Sequence, residues 1–82
     1  MAGSAPRTVM EGPIKRSVMI AGHATSVTLE PIFWNALREA AAEDQLPLSA
    51  LVARIDAERV GGEAAVNLAS AIRVWLFRRA LL

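Results

Sequence analysis

The sequence feature that most constrains the fold is an alternating strand pattern that runs directly into a proline. Val27 and Leu29 alternate with Ser26 and Thr28, which is the period-two pattern of a strand with one apolar and one polar side. Pro31 follows almost at once, and proline is favoured at the first position of a helix because its missing amide hydrogen would have no partner there. The pattern therefore predicts a strand that passes straight into a helix.

A second β-branched run precedes this strand. Residues 16–20 and 25–29 flank the turn-prone segment AGHA, which predicts two short strands, with a hairpin as one arrangement. A single strand cannot bury its apolar side alone, so Val27 and Leu29 are expected to need the strand of a second chain. The residues leave open whether the first or the second strand pairs between two chains.

The first helix is predicted to begin at Pro31 and to end near Gln45. Pro47 favours this end because proline disfavours helical angles at the residue before it, and Pro47 is itself a suitable first residue of the next helix. The apolar side of the first helix carries Phe33, Trp34, Leu37, Ala40 and Ala41. The opposite side carries Asn35, Arg38, Glu39 and Ala42. This division is typical of a helix that packs one side against a core.

Two more helices are predicted. In the second, the apolar residues stand at offsets of 0, 3, 4 and 7, at Leu48, Leu51, Val52 and Ile55. Gly61 and Gly62 are expected to end it by adopting positive backbone angles. Asn67 is expected to cap the third helix, whose apolar residues face two directions. One flank carries Leu68, Ile72, Trp75 and Leu76, and the other carries Val74, Phe77 and Leu81.

Composition limits the ways in which so short a chain is stabilised. The 82 residues make one domain at most, and a domain of this size commonly relies on a disulfide, a metal or a partner chain. The chain has no cysteine and one histidine, which excludes disulfides and argues against a metal or other cofactor. A homodimer is therefore expected.

Composition also predicts the compartment and the domain boundaries. No apolar run approaches the roughly 20 residues needed to span a bilayer, and the first residues lack a secretion signal pattern, so a cytoplasmic protein with no membrane contact is expected. The net charge of +1 argues against nonspecific coating of nucleic acid. Residues 1–13 are expected to form a flexible leader, and residues 14–82 the folded domain with its C-terminal helix.

No residue pattern indicates a catalytic centre, and an enzyme is not expected. His23 has no serine or cysteine nucleophile arranged near it by motif, which favours a turn or surface role. Trp34 and Trp75 occupy core-facing helical positions, so packing is favoured over a ligand box or base stacking. Three carboxylates are expected on or near the solvated side of the first helix, where they serve solubility and form charge pairs along the helix: Glu39, Glu43 and Asp44.

The order of these elements resembles a known family. The tract TSVTLEPIFWNALREAAAEDQLPLSALVARIDAER resembles the ribbon-helix-helix domain, and the likeness extends over about residues 14–78. The segments RSVMIAGHATSVTLE and NLASAIRVWL are similar to small bacterial proteins that carry this domain. The resemblance implies a mainly α-helical fold with a short N-terminal β-ribbon, arranged as an intertwined homodimer with an added C-terminal helix.

The resemblance also implies a function. In that family the strands of two protomers pair into a ribbon that enters the major groove, which implies a bacterial-type transcriptional repressor that binds double-stranded DNA. Ser26 and Thr28 would point outward to the bases, and the N-terminus of the second helix, at Leu48 and Ser49, would hold a phosphate. Further DNA contacts would come from Lys15, Arg16 and Ser17.

The implied dimer core and two departures from the family pattern complete this interpretation. Ala24 stands where a third outward polar or basic residue is expected, and Pro47 stands where a capping Ser or Thr often occurs. Ser and Thr also read bases tolerantly, so direct sequence specificity is expected to be low. The core shared by the two protomers would contain Val27, Leu29, Leu37, Leu51, Val52 and Ile55.

A different class of function stays open, centred on the third helix. A protein-interaction module, such as an antitoxin-like protein or an assembly partner, would use the arginines and aromatic residues of this helix. The same residues would also suit a dimer seal or a segment lying on a membrane surface. They are Arg73, Trp75, Phe77, Arg78 and Arg79.

Overall fold

The computed structural model describes residues 12–61 and 67–82. Two strands come first, β1 at Ile14–Ile20 and β2 at His23–Leu29. Three helices follow, α1 at Pro31–Glu43, α2 at Leu48–Val60 and α3 at Leu68–Leu81. The mainly helical architecture behind a short N-terminal sheet confirms the expected fold class. The proposed flexible leader falls almost entirely on residues 1–11, outside the described residues.

The two strands pair with each other as an antiparallel hairpin. The register runs from Ile14 opposite Leu29 to Ile20 opposite His23, which leaves a two-residue turn. The turn residues Ala21 and Gly22 have φ angles of 51° and 83°, the positive values that favoured two-residue hairpin turns require. The turn is therefore shorter than the predicted four residues, and His23 belongs to a strand.

One side of the hairpin packs onto the helices within the same chain. Val27 is 2% exposed and Leu29 is fully buried, and Val18 and Ile20 of β1 are buried beside them. The expectation that Val27 and Leu29 need the strand of a second chain is therefore corrected. The chain's own first strand and helices cover them, because the two-residue turn folds β1 back alongside β2.

Helix α1 begins at Pro31 as predicted but ends at Glu43, two residues before the predicted Gln45. Gln45 has a φ of 57°, in the left-handed region, and this angle reverses the chain. The Leu46 amide then donates to the Ala41 carbonyl at 2.9 Å, which closes the helix end as in a Schellman motif. The left-handed angle of Gln45 therefore ends α1 before the chain reaches Pro47.

Helix α2 begins one residue later than expected and ends by a different route. Pro47 occupies the N-cap position, with extended backbone angles, and Leu48 is the first helical residue. At the other end, Gly61 has a φ of −77°, so it does not supply the expected positive angle. Its amide still donates to the Ala57 carbonyl at 3.1 Å, as in a continuing helix. Gly62 lies outside the described residues.

A single core joins the hairpin to the three helices. Trp34 lies within this core and is 1% exposed. Its indole Nε1 donates to the Ile14 carbonyl at 2.9 Å, and this hydrogen bond joins α1 to the start of β1. Helix α3 is capped as predicted, because the Asn67 side chain accepts from the Ser70 amide at 2.8 Å. The remaining fully enclosed helical side chains include Leu37, Leu51, Val52, Ile55 and Ile72.

Candidate nucleic-acid interface

The solvent-facing side of the hairpin, called here the outer face, is formed by six exposed residues: Lys15, Ser17, Met19, Ala24, Ser26 and Thr28. The register sorts them into three cross-strand rows. Lys15 lies opposite Thr28, and Ser17 lies opposite Ser26. Met19 and Ala24 form the row next to the turn. Four of the predicted DNA-binding residues therefore share one surface.

The spacing of these rows suits the stacked base pairs of a DNA groove. Neighbouring rows are two residues apart, so the first and third rows lie about 14 Å apart at a rise of about 3.4 Å per residue. That distance corresponds to about four base pairs at about 3.4 Å each. The major groove is wide enough to admit a two-stranded β-ribbon. The outer face therefore has dimensions that fit a short stretch of major groove.

The outer face carries hydrogen-bonding groups and one cation. The hydroxyls of Ser17, Ser26 and Thr28 both donate and accept hydrogen bonds, so they can meet either kind of base edge. Lys15 supplies a positive charge of the kind that pairs with phosphates. None of the six residues is acidic, so the outer face itself carries no charge that would repel a phosphate backbone.

Arg16 lies on the opposite side of the hairpin from Lys15. It stands across from Val27, and its guanidinium carbon lies 5.8 Å from the centre of the Trp34 ring. A cation at that distance over an aromatic face is attracted to the ring. Arg16 and Lys15, both predicted as DNA contacts, therefore lie on opposite sides of the hairpin, because neighbouring residues of a strand point to opposite sides.

The N-terminus of α2, the predicted phosphate clamp, is a separate place in the fold. Leu48 and Ser49 are both half-buried in the first turn of the helix. Pro47 caps the helix without a side-chain hydrogen bond, so the early amides of the helix have no side-chain acceptor there. Phosphate binding by this turn stays a prediction.

Two arginines of α3 form ion pairs with carboxylates at the two ends of α1. Arg79 donates to both Asp44 oxygens, at 2.9 and 3.2 Å, and to Glu43 at 3.0 Å. Arg73 donates to Glu30, at the start of α1, at 3.0 Å. Glu43 and Asp44, which were expected as solubility and helix-pair charges, also join the end of α1 to α3. Two of the three arginines predicted to serve a partner are thus engaged within the chain.

These ion pairs shift the titration of the carboxylates. Hydrogen bonds from Arg79 hold the pKa of Asp44 below its usual value, with a smaller contribution from Arg54. The pKa of Glu30 is lowered by a hydrogen bond to its own backbone and then by Arg73. The hydrogen bonds that Arg79 makes to Asp44 and then to Glu43 raise the pKa of Arg79. Each shift favours the charged, paired state.

A second surface feature lies between α1 and α3. A groove of about 550 Å³ is lined by the apolar side chains of Phe33, Val74, Phe77 and Leu81, together with Arg73 and Arg78. The exposed apolar flank predicted for α3 is therefore present, since Val74, Phe77 and Leu81 are all exposed. The groove's charged lining residues are both arginines.

Across residues 12–61 and 67–82, no group of three or more His, Asp or Glu side chains is placed to hold a metal ion. Over the same residues, no helix combines the length and apolar character needed to cross a bilayer.

Comparison with known proteins defines the class of this fold. A sequence model of the ribbon-helix-helix domain family matches residues 13–80. The solved structure of an uncharacterized protein from Bordetella pertussis Tohama I is similar, with 38% identity and a TM-score of 0.69. The match covers 84% of this chain and 56% of that chain, so this chain spans a little over half of that protein's length. No curated protein matches.

The structure has a two-stranded β-ribbon followed by helices, and this order of elements agrees with the family match. The chain belongs to the ribbon-helix-helix domain family. Members of this family generally bind DNA as transcription regulators, are typically dimeric, and have a regulatory fold and not an enzymatic one.

Sequence reasoning overlooks one residue of the outer face. Met19 lies on the same side as Lys15 and Ser17, and it is 55% exposed. The alternation of the first strand carries the signal, because positions 15, 17 and 19 share one side of any regular strand. Which side faces solvent depends on the register with β2.

Proposed function

We propose that this protein is a cytoplasmic transcriptional regulator, of the bacterial repressor type, that binds duplex DNA through the outer face of its hairpin. The observation that carries the proposal is the grouping of Lys15, Ser17, Ser26 and Thr28 on one exposed side of a two-stranded ribbon. Base-contacting hydroxyls and a phosphate-contacting cation are thereby presented together. A catalytic role is not proposed.

The proposed functional unit is a homodimer. Family members are typically dimeric, and two copies would present two outer faces to successive half-sites. The ribbon itself is already complete in one chain, since β1 pairs with β2. Alternate residues of each strand still direct their amide and carbonyl groups away from the hairpin partner, so the strand edges offer main-chain groups for pairing with a second copy.

Selection of bound sequences from random duplex DNA by the purified protein tests this function. Wild-type protein should enrich a short shared motif at low salt. Thr28→Ala should change the preference among motif variants by about 1 kcal/mol, because a single hydroxyl contact to a base edge is lost. Arg38→Ala, an exposed change on α1, serves as the control and should leave the motif unchanged. Absence of enrichment by folded wild-type protein would contradict the proposal.

The groove between α1 and α3 favours a second candidate function. We propose there an interaction with a partner protein that inserts apolar residues beside a carboxylate, because Arg78 lines the groove next to its apolar side chains. A partner recovered with wild-type protein, then purified and titrated, should bind Phe77→Asp at least tenfold more weakly. Val60→Asp, an equally exposed apolar position on α2, should bind as wild type.

A further inference from the structure

One apolar row interrupts the otherwise polar outer face. Met19 is 55% exposed and lies opposite Ala24, in the row nearest the turn. The other two rows carry Lys15, Ser17, Ser26 and Thr28. The outer face therefore changes from charged and hydroxylic at one end to apolar at the end next to the turn.

The turn leaves this apolar row accessible. Ala21 and Gly22 are the two residues that connect the strands, and neither carries a long side chain. A Cβ atom built on Gly22 would meet no atom within 4 Å, so the space beside this turn residue is open. A narrow tip of this kind can approach the floor of a groove without a bulky residue holding the row away.

Only one base offers an apolar group in the major groove. Thymine carries a C5-methyl group there, and the other base edges present donors and acceptors. Methionine is unbranched and has three rotatable side-chain bonds, so it adapts to the position of a small apolar group. An apolar row on a base-reading face is therefore chemically matched to thymine methyls.

We propose that Met19, supported by Ala24, contacts a thymine methyl and makes the protein prefer thymine at the end of its site that lies under the hairpin turn. The inference rests on the proposed DNA-binding function and specifies which base its apolar row reads. The preferred thymine should lie about four base pairs from the position nearest Lys15, because the two rows are about 14 Å apart. The hydroxyl row of Ser17 and Ser26 reads the bases between them.

Replacement of thymine by uracil tests this proposal directly, because it removes the methyl group and leaves the base-pairing atoms unchanged. The probe is the duplex obtained by selection, with deoxyuridine substituted at one thymine at a time and dissociation constants measured at a single salt concentration. Wild-type protein should lose about fourfold in affinity at the thymine under the turn, the value expected for one buried methyl group. Substitution at other thymines should have little effect.

Variants assign the effect to Met19. Met19→Ala should bind the thymine and uracil duplexes equally, whereas Met19→Leu should keep most of the wild-type preference. Ile32→Ala removes apolar surface from α1, at a residue 71% exposed, and should keep the full preference. Because Met19 is exposed, its replacement should leave the circular dichroism spectrum unchanged.

The outcomes separate this inference from the function on which it rests. Sequence-selective binding with equal affinity for thymine and uracil at every position would overturn the thymine contact and leave the DNA-binding proposal standing. The same holds if Met19→Ala keeps the wild-type preference. Failure of folded protein to bind any duplex at low salt would overturn both proposals.

Discussion

At the scale of single residues, the stability of the protein depends on which side chains of each strand or helix are buried in the core. Ile55 is 2% exposed on the buried stripe of α2, while Val60 on the same helix is 67% exposed. Ile55→Ala should lower the free energy of unfolding by about 2–5 kcal/mol, because the neighbouring side chains cannot fully close the cavity. Urea denaturation at fixed protein concentration measures this change.

Val60→Ala is the matched control for this prediction. It removes apolar atoms from the same helix at a solvent-facing position, so it should change the free energy of unfolding by less than about 0.5 kcal/mol. Equal effects of the two substitutions would show that the buried side of α2 has been assigned incorrectly.

At the scale of elements, the hairpin places two neighbouring cationic side chains on opposite sides. Lys15 belongs to the outer face, whereas Arg16 lies over Trp34 on the other side. Lys15→Ala should weaken DNA binding for all sequences and reduce the slope of log affinity against log salt by about 0.9, the value for one lost phosphate contact. Arg16→Ala should leave that slope unchanged. An equal loss of slope in both variants would contradict the assigned sides.

The end of α1 is fastened to α3 by Arg79, and this contact should make stability depend on acid. The pKa of Asp44 is lower in the folded chain because of Arg79, so the folded state favours the charged carboxylate. The resulting stabilisation is complete above the usual carboxyl pKa of about 4 and is lost as pH falls through the lower, folded value. Asp44→Asn should therefore show a smaller change in stability between pH 5 and pH 2 than wild type.

Thermal melts across this pH range measure the effect. Glu58→Gln removes a carboxylate from the exposed surface of α2 and serves as the control. It should keep the wild-type loss of stability in acid. If Asp44→Asn and wild type lose stability in parallel, the contact with Arg79 does not contribute to the acid sensitivity of the fold.

The elements could be predicted from sequence because prolines and periodicity act locally. Pro31 marks the start of α1, and the offsets of the apolar residues in α2 identify its buried stripe. The length of the hairpin turn could not be predicted, because Ala21 adopts a left-handed angle that its residue type does not indicate. The contact between Arg79 and Asp44 joins residues 35 positions apart, so no local spacing reveals it.

At the scale of the whole molecule, the chain builds its own ribbon and its own core. The two strands form a hairpin, one of the arrangements that the sequence allows, and the strand residues expected in a shared core, Val27 and Leu29, are enclosed by the same chain. In this hairpin Met19 lies on the outer face with Lys15 and Ser17, and Arg16 lies on the opposite side. Sequence patterns assign residues to sides of a strand, but the partner strand depends on tertiary folding.

A core that is complete in one chain predicts a protomer that stays folded when two copies separate. On dilution through the dissociation of the proposed homodimer, sedimentation velocity should show a shift from two chains to one. Far-ultraviolet circular dichroism and the melting temperature should then become independent of concentration, because Val27 and Leu29 keep the cover of β1 and α3. Loss of the dichroism signal in step with dissociation would instead show that the two copies exchange their first strands.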